Sequence, residues 1–177
     1  MKTLEAIYTR FSCREYTDEQ VSDEDIKKIL DAALCAPTAC NTRSWSFIVV
    51  KDRETLLKMA EANGTSANAL KTANFAVMIV CDMKLTFERC KDYWIIDGAI
   101  AGENMCIAAN SLGIGSLWLG TYPQEAKVNN QKALFNLPEN IIPHSILAFG
   151  YPKDKSRIGE KNKGLNNAQG KIHWGKW

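Results

Sequence analysis

The chain has 177 residues, 46% hydrophobic and 24% charged, with 22 basic against 20 acidic side chains for a net charge of +2. That length supports one domain around a single sizeable core. The near-balance of charge excludes nucleic acid or an anionic membrane surface as a partner recognised by charge alone.

Leu4, Ile7, Tyr8 and Phe11 recur at helical spacing and predict a short amphipathic first helix. Glu5 interrupts it, so it lacks the apolar core of a signal peptide. Ser22 followed by Asp25 predicts a capped second helix with Ile26, Ile29, Leu30, Ala33 and Leu34 on one face, and Pro37 stops it. The loop over 36–45 is small and polar, unlike its neighbours, as binding loops are. Residues 47–50 read as a strand, Leu56 to Asn63 as a helix, and Asn68 with Lys71 as a helical turn presenting both side chains on one face. The run 75–81 is apolar throughout and predicts an interior strand. Strands follow at 116–120 and 146–150, with a helix between them capped by Thr121 and running to about Phe135. Strands alternating with helices give a layered α–β domain with helices on both faces of a sheet.

The run 93–112 would make about five and a half helical turns. Ile95, Ile96, Ala99, Ile100, Met105, Cys106, Ile107 and Ala108 point in nearly every direction, so the helix must be covered nearly all round. Asp97, Glu103 and Asn104 exclude a membrane span, since a charge there costs roughly 3 kcal/mol; a pairing of Asp97 with Glu103 across the buried surface is expected. Gly98, Ala99, Ala101 and Gly102 leave room for another backbone to pass. A second copy of the chain is one partner able to cover such a helix; a core helix of a monomer is the other. From Tyr151 on the sequence is basic and rich in Gly and Asn, but ends in Ile172, Trp174 and Trp177, like an arm laid across another surface.

Six cysteines (13, 35, 40, 81, 90, 106) show no Cys-x-x-Cys spacing and mostly sit in apolar runs. They read as reduced, packed thiols of a cytoplasmic protein. The two histidines, His144 and His173, have no ligand-spaced partner, so no metal is expected. Arg10/Ser12/Arg14, Asn68/Lys71 and Lys155/Ser156/Arg157 offer three separated sets of groups suited to a phosphate and a polar ring, since arginine forks pair with phosphate oxygens and hydroxyls add a further bond. No Gly-x-Gly-x-x-Gly or P-loop occurs, so a mononucleotide held by side chains fits better than a dinucleotide fold.

Taken in order, these segments resemble the nitroreductase family of FMN-dependent NAD(P)H oxidoreductases. Its opening Arg-x-Ser-x-(Arg/Lys)-x-(Phe/Tyr) stands here as Arg10-Phe11-Ser12-Cys13-Arg14-Glu15-Tyr16. Its Ala-Pro-Ser-x-x-Asn-x-Gln-Pro-Trp loop stands as Ala36-Pro37-Thr38-Ala39-Cys40-Asn41-Thr42-Arg43-Ser44-Trp45. Asn68-x-x-Lys71, the long helix leading to Gly113 and Gly115, Gly150-Tyr151-Pro152 and Lys155-x-Arg157 follow in the family's order.

The resemblance implies an α+β sandwich with a central mixed sheet, one domain over 1–177, and an intertwined homodimer whose arm over 151–177 crosses to the partner. It implies FMN as cofactor, held by Arg10, Ser12, Lys155 and Arg157 at the phosphate and ribityl chain and by Arg14, Lys71 and Asn68 at the pyrimidine edge, with Phe11 also among the cofactor-binding residues. Pro37, Thr38, Ala39 and Asn41 would come from the other subunit, and Leu119, Gly120 and Thr121 would line the ring. NAD(P)H would be the reductant, and a small aromatic acceptor, a nitroaromatic or quinone, would take the electrons by a ping-pong route. No side chain need act as nucleophile or base, because the flavin moves the hydride. A flavin-storage protein and a specialised dehalogenating or flavin-cleaving enzyme are the other readings. This chain departs from the pattern at Arg43 and Ser44, and its short 82–92 segment leaves little for a helical lid.

Overall fold

The computed structural model describes residues 1–162, 164 and 168–177. In chain order it contains α1 (Thr3–Thr9), α2 (Asp23–Leu34), β1 (Trp45–Val50), α3 (Arg53–Asn63), β2 (Phe75–Asp82), α4 (Tyr93–Ser111), β3 (Gly115–Gly120), α5 (Glu125–Leu134) and β4 (Ile141–Gly150). Short 3₁₀ turns occupy Ala39–Asn41 and Thr65–Lys71.

The four strands form one sheet in the order β1-β2-β4-β3. Every strand pair is antiparallel, so the expected mixed sheet is reduced to a single parallel bridge, Ser12 to Ser116. Alternation along β2 divides the core. Phe75, Val77, Ile79 and Cys81 face the layer built from α2 and α4, and Ala76, Met78 and Val80 face the layer of α3 and the Thr65–Lys71 turn. Phe75 and Phe149 are register partners, fully buried and stacked 4.8 Å apart; each contributes about 1.5–3 kcal/mol by burial.

The structure changes several sequence expectations. β4 begins at Ile141 rather than 146, because the ladder shifts between Ile79 and Val80 and so admits Pro143, which has no N–H to donate. Ser22 caps α2 as expected, its Oγ accepting from the Asp25 N–H at 3.1 Å. Thr121 does not cap α5: that position belongs to Gln124, and the Thr121 hydroxyl is turned into the protein.

Asp97 and Glu103 are not paired. Buried Asp97 accepts from the Ala39 N–H at 3.0 Å, while exposed Glu103 meets Arg10 at 3.3 Å. The small residues of α4 admit aromatic rings rather than a backbone: a Cβ on Gly102 would lie 2.2 Å from Trp118 Cζ3, and one on Gly98 2.9 Å from His144 Cδ2. This chain covers one side of α4 only, leaving Tyr93 and Ile96 exposed. Three of the six thiols expected to be packed (Cys35, Cys40 and Cys90) are exposed; all six are free.

Tyr16 ties the N-terminal segment to the sheet. Its ring is 3% exposed, and its hydroxyl lies 2.9 Å from the Cys13 carbonyl and 3.0 Å from that of Ala148, so one proton is shared between two acceptors. Burial pushes the phenol well above its ordinary pKa, which keeps that proton in place. Tyr16→Phe leaves both carbonyls without this donor and is expected to cost about 1–3 kcal/mol. Thermal unfolding checks this, and an unchanged Tm would refute it.

Candidate flavin site

The segment carrying Arg10, Phe11, Ser12 and Arg14 is threaded beside β3. Ser12 bridges Ser116, the Cys13 N–H donates to the Ser116 carbonyl at 2.9 Å, and Tyr16 bridges Pro152. Two glycines make the close approach feasible: a Cβ on Gly115 would sit 2.8 Å from Cys13 Cβ, and one on Gly150 2.9 Å from Tyr16 Cβ. Phe11, Ser12, Arg14, Asp154 and Arg157 then enclose a hollow of about 210 Å³. The Arg157 guanidinium lies 5.3 Å from the centre of the Phe11 ring, within cation–π range.

Of the expected phosphate set, the fold thus brings Ser12 and Arg157 together, and adds Arg14, which was expected at the ring. Arg10 is turned toward α4, where its Nε meets Glu103. Lys155 is exposed and outside the lining of this hollow.

Asn68 and Lys71, on one face of the 3₁₀ turn, line a second hollow with Gly64 and Thr65. The Tyr16 N–H donates to Thr72 Oγ1 at 3.3 Å, tying this turn to the Arg14 segment. Among the described residues, no carboxylate forms a salt bridge with Arg14 or Lys71. At the end of β3, Leu119 is buried and Gly120 exposed, with nothing within 4 Å of where a Cβ on Gly120 would lie. Thr121 is wholly buried, so its side chain cannot line a ring; its hydroxyl donates to Asn63 Oδ1 at 2.9 Å. Asn63 carries no motif signal, and a lone Asn before Gly64 reads only as a helix end.

The loop with Pro37, Thr38 and Ala39 lies elsewhere, on the α4 layer, where these residues share a hollow with Phe87, Tyr93 and Asp97. Asn41 is exposed beside it. Neither Arg14 nor Lys71 lines the hollow this loop forms; each lines another. It is braced internally. Cys40, Asn41 and Arg43 take left-handed φ values of 49°, 55° and 49°, a conformation costly for residues other than glycine. Contacts fix it there: the Arg43 N–H donates to Thr38 Oγ1 at 3.0 Å, its guanidinium donates to the Leu34 carbonyl and lies 5.4 Å from the Trp45 ring centre. Burial pushes the Asp97 carboxyl above its usual range, against the lowering effect of the Ala39 N–H.

Titrating and redox groups elsewhere are quiet. Burial pushes the Cys81 thiol up to about 12 and Cys106 to about 11, away from reactive thiolate. His144 accepts or donates at two contacts of 2.9 Å, to Ser145 Oγ and the Ile95 carbonyl. The carbonyl can only accept, so Nε2 carries the proton, and burial lowers the pKa and favours the neutral ring. No group of side chains suited to a metal ion, and no helix long and apolar enough to cross a membrane, occurs among the described residues.

Comparison with known proteins agrees with this arrangement. The model of the nitroreductase family matches residues 7–81 and 65–151. A protein of Archaeoglobus fulgidus, provisionally named NADH dehydrogenase/NAD(P)H nitroreductase, is 46% identical over 98% of both chains. A solved structure from Clostridium acetobutylicum, provisionally named an NADH oxidase, superposes with a TM-score of 0.89 at 37% identity over 97% of this chain and 99% of its own. Another, a provisionally named nitroreductase from Desulfovibrio desulfuricans solved with FMN, has a TM-score of 0.73 at 28% identity, over 87% of this chain and 88% of its own. With an antiparallel sheet between two helical layers and the Arg-x-Ser-x-Arg segment laid along β3, this chain belongs to the nitroreductase family.

Proposed function

We propose that this chain, an FMN-dependent NAD(P)H oxidoreductase, reduces flat, electron-poor acceptors of the nitroaromatic or quinone class, with reductant and acceptor using one face of the flavin in turn. The observation that carries this is the set of cations without carboxylate salt bridges, Arg14 and Lys71, on two segments tied together through Tyr16 and Thr72. The residues present fit the group. Ser12 and Arg157 on one hollow match a phosphate's demand for hydroxyl and guanidinium donors. Asn68 and Lys71 match the amide-like edge of the ring, and the open space at Gly120 matches a flat ring lying close to backbone.

FMN, when bound, supplies the hydride-accepting ring. Ser12 and Arg157 hold the phosphate end; Arg10, paired with Glu103, and Lys155, outside the hollow, take no part in it. Lys71 and Arg14 place fixed positive charge where negative charge develops on reduction, which favours catalysis over storage because a storage site gains nothing from it. Pro37, Thr38, Ala39 and Asn41, remote from these groups within one chain, serve the site of a second subunit. We read the chain as a single domain over 1–177 that works as a homodimer in the cytoplasm, where its free thiols stay reduced. The tail supports the assembly: Trp174 and Trp177 are 92% and 99% exposed, an arm without a surface of its own to cover.

Anaerobic titration with NADH and NADPH tests the activity. The flavin bleaches promptly and regains its colour on adding a nitroaromatic or quinone, and steady-state rates give the parallel lines of a ping-pong scheme. Flavin that stays oxidised under both nicotinamides assigns the protein to flavin storage instead. Arg157→Ala is expected to weaken FMN retention about tenfold, the value of one charge-assisted contact; equilibrium dialysis checks this, and full retention overturns the phosphate assignment.

A further inference from the structure

Asn63 is the last residue of α3, fully buried, and placed between the two segments assigned above to the flavin ring. Its amide oxygen accepts from Thr121 Oγ1 at 2.9 Å, and its amide nitrogen donates to the Gly120 carbonyl at 3.3 Å. These contacts require one amide orientation: the hydroxyl gives its proton to the oxygen, and the carbonyl takes one from the nitrogen. Directly after Asn63 the chain turns at Gly64 (φ 79°) into the 3₁₀ turn bearing Asn68 and Lys71. A second tie runs parallel, since Lys127 Nζ lies 3.4 Å from both Ser66 Oγ and the Gly120 carbonyl. Behind the latch, α5 is anchored to α3, Gln131 Nε2 donating to the Met59 carbonyl at 2.9 Å.

A buried polar pair of this kind is a costly way to fill space. Apolar residues of the same shape would pack there without needing geometry, and satisfied buried networks are most useful for fixing one arrangement. Gly120 is exposed, with open space where a Cβ would lie. Its carbonyl is thus held by Asn63 and Lys127 while the space beside its Cα stays open.

We propose that Asn63 is a positioning residue of the flavin site: through Thr121 and Gly120 it fixes the end of β3 against the turn that carries Lys71, and thereby sets the gap the flavin ring enters. This rests on the assignment of Asn68, Lys71 and Gly120 to the ring. Asn63 itself touches no ligand; it acts through Gly120 and the Lys71 turn. The phosphate end, built on Ser12 and Arg157, stands on other elements.

The experiment compares binding of FMN and of riboflavin, which lacks the phosphate, to flavin-stripped protein by fluorescence quenching. Thr121→Val keeps the shape but removes the donor, leaving Asn63 Oδ1 buried without its partner. It is expected to weaken FMN and riboflavin by the same factor, about fivefold or more, so their ratio stays at the wild-type value. It also shifts the midpoint potential of the bound flavin. Thr121→Ser restores both to within about twofold, since the hydroxyl returns. If Thr121→Val does not fold, Asn63→Ser carries the same comparison.

A merely structural role lowers Tm while both affinities and the potential stay at wild type, and that result overturns the proposal. Lys71→Met is the control. It should weaken both flavins equally; if it leaves riboflavin binding unchanged, the ring-side assignment itself is wrong. If Lys71→Met weakens binding and Thr121→Val does not, the assignment stands and only the role of Asn63 falls.

Discussion

Lys71→Met is expected to slow reduction of the bound flavin by NAD(P)H roughly a hundredfold, the usual cost of removing one preorganised group that stabilises developing charge. Lys71 is exposed and, among the described residues, has no salt-bridged carboxylate, so its charge is available to a ligand. Methionine keeps the length and the apolar stem, so the loss reports on charge rather than on shape. FMN still binds at saturating concentration, because Ser12, Arg14 and Arg157 are untouched. Stopped-flow reduction under anaerobic conditions, with saturating nicotinamide, gives the rate directly. Lys71→Arg should recover part of it, because a guanidinium carries the charge in a different geometry. A Lys71→Met rate equal to wild type would remove Lys71 from the chemistry.

The second large effect is on stability. Gly102→Ala in a helix interior gains about 1 kcal/mol of helix propensity, so a surface-minded view predicts a more stable protein. The packing says otherwise. The new Cβ would lie 2.2 Å from Trp118 Cζ3, 2.5 Å from its Cη2 and 3.2 Å from Ile79 Cδ1. Trp118 cannot yield freely, since its ring stands edge-on to buried His144. Overpacking of this kind costs about 1–3 kcal/mol and occasionally more. We expect a net loss of about 2 kcal/mol, which for a chain of this length lowers Tm by roughly 4–8 °C. Trp118→Leu in the same background makes room for the methyl group and should return part of the loss, giving a coupling that thermal melts of the four variants can measure. A Gly102→Ala protein melting at or above wild type would show that α4 and β3 are looser than their contacts indicate.

Local patterns were legible wherever the physics is local. The apolar run of β2, the Ser22 cap and the helical period of α2 could be read directly, because burial on both faces, a hydroxyl at an N-terminus and a 3.6-residue repeat each leave a signature within a few residues. The ordered motifs pointed to the family for the same reason. What the sequence hid depends on partners far away in it. Pro143 conceals the first half of β4, and only the register shift opposite it makes the strand feasible.

Thr121 looks like a helix cap beside a proline until Asn63 takes its hydroxyl. Arg10 reads as a phosphate ligand, yet across the fold Glu103 holds its Nε. Asn74 has no part in the motifs, yet its buried amide spans to the Val21 N–H and the Glu19 carbonyl. In each case the side chain's role is fixed by a contact that no window of neighbours contains.

The strand that closes the sheet is the last one made. β4 lies between β2 and β3, and Ala148 within it anchors Tyr16 from a distance of 132 positions. On the ribosome, β1 and β2 therefore emerge and can pair while residues 83–140 are still to come. During that interval β2, apolar on both faces, has one unfilled hydrogen-bonding edge, a template for any other strand that meets it. At a synthesis rate of roughly 5–20 residues per second the exposure lasts about 3–14 s. The Arg10–Arg14 segment, first to leave the exit tunnel, has no fixed place until the final third of the message is read. Cofactor capture is on this account a late event, and a chain cut short before β4 is an aggregation hazard rather than a partly working enzyme.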